Sequence, residues 1–270
     1  MMKNNLILGA IAGDVIGSAY EFNPMKKLNF ELFIDRAGHR NSSSFTDDTV
    51  MTVAVADWLS NGGSLAKKMQ NYGRLYPDAG YGGNFFRWIY AREPKAYNSF
   101  GNGSAMRVSP VGWAFNTLEE TLDAAKESAE VSHNHPEGIK GAQAIASSVF
   151  MARKGKSKDE IKEYVMHAFD YDLNRTCNHI REDYSFDVSC QGSTPESIIC
   201  FLESNDYESA VRLAVSLGGD ADTMGAMAGG IAEAFYGDIS NDIRKNVVKR
   251  LPEEFVEIME SFTEKVVSKD

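Results

Sequence analysis

Apolar side chains recur at intervals of three and four residues along nearly the whole chain, the period that turns one stripe of an α-helix toward a core. Val50, Val53, Ala54 and Trp58 follow it, and Trp88 lies in a similar short segment. Further helical windows cover about 64–76, 104–115, 118–131, 137–154, 157–169, 195–204, 207–217, 222–236 and 241–267. No pair of alternating runs flanks an Asn-Gly or Asp-Gly turn, so β-hairpins are not expected. The expected fold class is all-α. Ser193-Thr194-Pro195-Glu196 offers a cap, a proline at a first helical position and an early acid, which predicts a helix starting at 195. Residues 241–270 read as one amphipathic surface helix. Stretches at 22–45, 77–83, 94–103 and 174–192 are candidate linkers, but none is a long Gly/Ser or Pro tract. Residues 1–270 are therefore expected to form a single compact multi-helix domain.

Two of these helices share an anomaly. Gly9, Gly13 and Gly17 recur every fourth residue in the first, and Gly225 and Gly229 do so in a later one. Each glycine inside a helix costs about 1 kcal/mol relative to alanine. Close backbone approach along a small-residue face accounts for the pattern, either as tight packing alone or as packing that also serves a site. The apolar stretch 6–19 that carries the first set contains Asp14 and is too short to span a membrane, so it reads as a buried helix.

Twenty-eight Lys and Arg against 38 Asp and Glu give a net charge of −10. Such a field repels polyanions, argues against general nucleic-acid binding, and means that an anionic ligand needs local positive help. A hydrophobic content of 43% with 24% charged residues excludes a disordered chain. Cys177, Cys190 and Cys200 form no Cys-x-x-Cys pair and no framework of bridges, which fits a reducing, cytoplasmic compartment with no membrane partner. Nothing in the sequence speaks to oligomeric state.

Two acidic clusters each stand at the start of a helix: Phe45-Thr46-Asp47-Asp48-Thr49 and Leu217-Gly218-Gly219-Asp220-Ala221-Asp222-Thr223. Capping accounts for one acid at each place. A second acid, flanking threonines and a flexible Gly-Gly go beyond a cap. Four carboxylates brought together repel unless cations sit between them. Carboxylate and hydroxyl oxygens suit Mg²⁺ or Mn²⁺, whereas Zn²⁺ asks for His and Cys. None of the five histidines precedes an aspartate, which argues against a His-Asp metal phosphohydrolase. With Asp220 as the first position of a loop, Met224 at the fifth and Ile231 at the twelfth rule out an EF-hand. Asp14 and Glu21, seven residues apart, share a helical face as a third acidic element, with Glu21 at the end of that helix and ahead of a stretch able to gate a site.

Ser99-Phe100-Gly101-Asn102-Gly103-Ser104-Ala105-Met106-Arg107 is a glycine-rich loop running into a helix, an arrangement that presents amides to an anion. It matches neither the Rossmann nor the Walker pattern. His133-Asn134-His135-Pro136 precedes another helix, where its histidines either bind phosphate or cap.

Taken in order, Gly9-Ala10-Ile11-Ala12-Gly13-Asp14, Gly17, Glu21 and the four motifs just quoted resemble the ADP-ribosylglycohydrolase family over residues 6–236. The resemblance implies an all-α fold with two Mg²⁺ or Mn²⁺ ions at the bottom of a cleft. It carries the metal ligands onto Thr46, Asp47, Asp48, Asp220, Asp222 and Thr223. It places a substrate diphosphate on Gly101, Asn102, Gly103, Ser104, Ala105 and Met106, with His135 as a further substrate contact. Glu21 corresponds to a metal-proximal gate or catalytic acid, and either Glu21 or Asp48 is the catalytic carboxylate. Ala221 departs from the threonine often found between the second pair of aspartates, at a position outside the ligand set. The implied activity is metal-dependent removal of ADP-ribose from a modified protein side chain, arginine being the commonest linkage, by water attack at the anomeric carbon. Serine-linked ADP-ribose, a small ADP-ribosyl metabolite, and a silent ADP-ribose-binding or structural relative are the alternatives. Residues 171–192, with Cys177, His179 and Cys190, are the expected place for specificity.

Overall fold

A computed structural model describes residues 5–35 and 41–268. The ends of the expected 1–270 unit, the middle of the 22–45 stretch and His39 lie outside the described residues. In chain order the helices begin with α1 (Leu8–Gly17), α2 (Asp47–Asn61), α3 (Leu65–Leu75), α4 (Gly83–Tyr90) and α5 (Gly103–Met106). They continue with α6 (Ser109–Ala114), α7 (Leu118–Glu130), α8 (Pro136–Arg153), α9 (Lys158–Phe169) and α10 (Cys177–Asp183). The last are α11 (Cys190–Glu203), α12 (Tyr207–Ser216), α13 (Ala221–Tyr236), α14 (Asn241–Val248) and α15 (Glu253–Val267). Among the described residues the only β-type pairing is an isolated antiparallel bridge between Gly101 and Ser189. None of the described helices is long and apolar enough to cross a membrane.

α1 is buried along its whole length and lies antiparallel against α13. The glycine repeats explain how. A Cβ on Gly9 would lie 2.6 Å from the Gly229 carbonyl oxygen, one on Gly13 would overlap that of Gly225, and one on Gly17 would overlap that of Ala221. The two backbones therefore touch, and the pairing 9–229, 13–225, 17–221 sets their register. That register brings the C-terminus of α1 to the N-terminus of α13. α1 has no side-chain cap of its own; the buried carboxyl of Glu233 on α13 stands at its start, where the amides of Gly9, Ile7 and Leu8 favour its ionised form against burial. Around this pair, α2, α8, α11 and α12 pack on α13, and α15 covers the far side of α2.

Four sequence expectations are corrected. The 104–115 window is broken into α5 and α6, because Pro110 has no N–H to give to the carbonyl of Met106 at the end of α5 and sits instead in the first turn of α6. α11 starts at Cys190, where the Ser189 side chain accepts from Gly192 N–H, and it runs through Pro195 instead of starting there. The N–H missing at Pro195 would have met the carbonyl of Gln191, an exposed residue that water can satisfy. The tail is two helices divided at Leu251-Pro252, and α15 buries Phe255, Met259 and Phe262, so it is not simply a surface helix. Residues 174–192 hold α10 and the start of α11.

Candidate active site

α2 begins where its backbone meets a buried carboxylate from α1. Asp14, fully buried, accepts from Thr46 N–H and Thr49 N–H, both at 3.0 Å, and from both threonine hydroxyls. These bonds satisfy the amides that open α2, so Asp47 and Asp48 are free of the capping role and line the cleft. Asp48 is 3% exposed; its Oδ2 accepts from Thr223 Oγ1 at 3.2 Å, while its Oδ1 is buried without a partner.

The second cluster is likewise not a cap. Asp220 is the residue before α13, yet its side chain makes no capping bond. Its Oδ2 accepts from Asn102 Nδ2 at 2.7 Å, in the glycine-rich loop. Glu21, Asp220 and Asp222 each offer an oxygen, and these oxygens lie within 4.8 Å of one another. Glu21 reaches them by a turn beyond the end of α1 at Gly17, so its closeness follows from the α1–α13 register and not from a shared helical face with Asp14.

Thus Asp47, Asp48, Asp220 and Asp222, far apart in sequence, line one cleft of about 380 Å³ together with Glu21. None of the ion pairs among the described residues neutralises them. Desolvation, followed by the Asp222 charge, pushes Glu21 up to about 9. Asp47 is pushed up to about 7, first by burial and then by Asp14 and Glu21. Burial raises Asp14 and Asp220 to about 6. Burial raises Asp48 and Asp222 well above the ordinary carboxylate range, the Asp222 charge adding to it at Asp48 and the Asp220 charge at Asp222. Proton uptake is how such a cluster relieves itself without a cation; a divalent ion would serve instead. The hard oxygen donors, the orphaned Asp48 Oδ1 and the Glu21–Asp220–Asp222 cluster fit Mg²⁺ or Mn²⁺.

The glycine-rich loop forms the adjoining wall. Gly101, Asn102, Gly103 and Met106 line the cleft. Ser104 and Ala105 lie behind it, the Ser104 hydroxyl donating to Gly138 O. The amides of Ala105 and Met106 donate to Asn102 O, which leaves those of Gly103 and Ser104, at the start of α5, without a backbone acceptor. Thr46 stands just outside the lining, bonded to Asp14. His135 is not brought into the cleft: its Nδ1 accepts from Glu137 N–H, capping α8, and its ring packs on Phe100. His133 lines the cleft in its place, kept neutral by burial and the nearby Arg107 charge. Arg107, 1% exposed, donates to Ser128 O and Ser132 Oγ, and its Nε has no partner. It supplies the fixed positive charge in the cleft wall.

An all-helical body with a carboxylate-lined cleft beside a glycine-rich loop has the oxygen donors to hold a hard divalent ion and the concave shape to hold a small polar ligand. Comparison with known proteins narrows this further. The family model for ADP-ribosylglycohydrolase matches residues 5–270. The chain is 25% identical to mouse ADP-ribosylhydrolase ARH3, with 96% of this chain and 87% of that protein covered. It is also 25% identical to the ADP-ribosylarginine hydrolase Tri1 of Pseudomonas putida, covering 93% and 72%. A solved structure described as an ADP-ribosylglycohydrolase-related protein complex matches with a TM-score of 0.73 over 97% of each chain at 25% identity. The chain belongs to the ADP-ribosylglycohydrolase family and is a glycosidic-bond hydrolase.

Proposed function

We propose that this protein removes ADP-ribose from an arginine side chain of a modified protein, in a reaction that depends on Mg²⁺ or Mn²⁺. The observation that carries the reading is the convergence of Asp47, Asp48, Asp220, Asp222 and Glu21, without a Lys or Arg partner, next to an open amide of the glycine-rich loop. Thr46, Asp47, Asp48, Asp220, Asp222 and Thr223 would hold two divalent ions. When bound, such ions orient the ribose hydroxyls and lower the pKa of water. The amide of Gly103, with Arg107 in the same cleft wall, receives the diphosphate and brings an anionic ligand into an anionic protein.

Water attacks the anomeric carbon as its bond to the guanidino nitrogen breaks, and positive charge spreads over C1 and the ring oxygen. Glu21 is the carboxylate best placed to take the water's proton, since it reaches the Asp220–Asp222 pair from a half-buried position. Asp48, nearly sealed and held by Thr223, serves as a ligand. The three cysteines are free and buried, in keeping with a cytoplasmic setting.

The test is to incubate the protein with arginine-linked, serine-linked and small-molecule ADP-ribosyl conjugates, with Mg²⁺, Mn²⁺ or chelator. Free ADP-ribose is expected from the arginine-linked peptide with metal and not with chelator. Release only from another conjugate would change the substrate, and no release from any conjugate would leave a silent ADP-ribose binder.

A further inference from the structure

Three segments that bear the candidate site are joined through one side chain outside it. Lys26 lies five residues after Glu21, and its Nζ donates to Arg181 O at 3.0 Å, Tyr184 O at 2.5 Å and Leu217 O at 2.5 Å. The first two carbonyls end α10, ahead of Phe186 and Val188 on the cleft wall. The third ends α12, directly before Gly218-Gly219-Asp220. All three ammonium donors are thus used, on carbonyls at the negative ends of helices.

The two glycines ahead of Asp220 are shaped by the same arrangement. Gly218 has φ +71°, and a Cβ there would lie 2.7 Å from Lys26 Cε. A Cβ on Gly219 would overlap the ring of Tyr184, whose hydroxyl donates to Gly192 O at 2.7 Å. The Lys26 stem and the Tyr184 ring therefore press on successive residues of the strip that delivers Asp220 to the cluster.

We propose that Lys26 is a positioning residue for the metal centre: its ammonium ties the segment after Glu21 and the end of α10 to Leu217 O, ahead of the Gly218-Gly219 strip, and so holds the ligand Asp220 in place beside Asp222. The inference rests on the cluster being a divalent-metal site. Lys26 touches no carboxylate of the cluster, so its effect runs through the backbone it fixes. A group that orients metal ligands without binding the metal changes affinity by about 10–100-fold.

Calorimetric titration of the metal-free protein with Mn²⁺ tests this on wild type, Lys26→Met and Lys26→Arg, with thermal unfolding of each metal-free protein alongside. Lys26→Met keeps the stem over Gly218 and loses the donors. It is expected to bind Mn²⁺ about 10–100-fold more weakly, with a metal-free midpoint within about 3 °C of wild type because Lys26 is exposed. Lys26→Arg is expected to recover part of the affinity, since a planar fork meets some of three carbonyls gathered around a point. The proposal is overturned if Lys26→Met binds within about twofold of wild type, or weakens binding only with a fall in midpoint beyond about 10 °C. If wild type binds no Mn²⁺, the metal reading and this inference both fail. If wild type binds Mn²⁺ but releases ADP-ribose from no conjugate, the proposed reaction fails and Lys26 keeps its role.

Discussion

Asp47 and Asp222 do opposite things for stability and for chemistry. Each is raised by burial and by neighbouring carboxylates, so each strains the metal-free fold when ionised. Asp47→Ala or Asp222→Ala is therefore expected to lower turnover at least about 100-fold, the upper end of what losing a mere supporting group costs. The same variants are expected to raise the metal-free thermal midpoint at neutral pH. Wild-type turnover in either variant, or a clear loss of metal-free stability, would return these residues to simple capping. Glu21→Gln separates the roles: turnover should fall about 10²–10⁴-fold while Mn²⁺ still binds, read by single-turnover kinetics and calorimetry. At this scale the acid clusters were legible because two helix starts carried more carboxylate than capping uses. The histidine was not. His133 and His135 are two residues apart, and only the turn after α7 decides that the first enters the cleft while the second caps α8. Lys26 carried no sequence signal beyond the Gly-Gly it presses on.

The α1–α13 contact links helix packing to the site. Gly13→Ala would put a Cβ into the Gly225 carbonyl, backbone against backbone, where no side chain can yield. We expect a loss of about 3 kcal/mol or more by chemical denaturation, at the upper end for overpacking. Mn²⁺ affinity should fall in the same variant, because the register that sets the ligand Asp222 against the end of α1 at Gly17 shifts with it. Unchanged stability would mean that the helices do not touch there. The four-residue glycine spacing made this contact readable before any coordinates. The breaks at Ser109-Pro110 and Leu251-Pro252 were marked by prolines but overridden by the apolar period on either side. Pro195 misled in the other direction: its missing hydrogen bond falls on the exposed Gln191, so α11 runs through it.

Over the whole molecule, the raised carboxylates make stability depend on pH and metal together. A group whose pKa is higher in the folded state stabilises fully below its unfolded value and loses that contribution as pH climbs through its folded value. With Asp14 and Asp220 near 6, Asp47 near 7 and Glu21 near 9, the metal-free protein should lose stability steadily from about pH 5 to about pH 9. Saturating Mn²⁺ should flatten this slope and, at a hundred times its dissociation constant, add about 2.7 kcal/mol. Thermal unfolding across pH with and without Mn²⁺ checks both; a metal-free midpoint that rises over this range would contradict the sign. The net charge of −10 marked the need for local cations, but not their place, which depends on the packing of α1 against α13.

The most direct measurement is an anomalous-difference map from crystals soaked in Mn²⁺ at the manganese edge. The expected result is density enclosed by Asp47, Asp48, Asp220 and Asp222, with Glu21 at its margin. A map with no peak in that cleft, or with manganese bound only elsewhere on the acidic surface, would contradict the account.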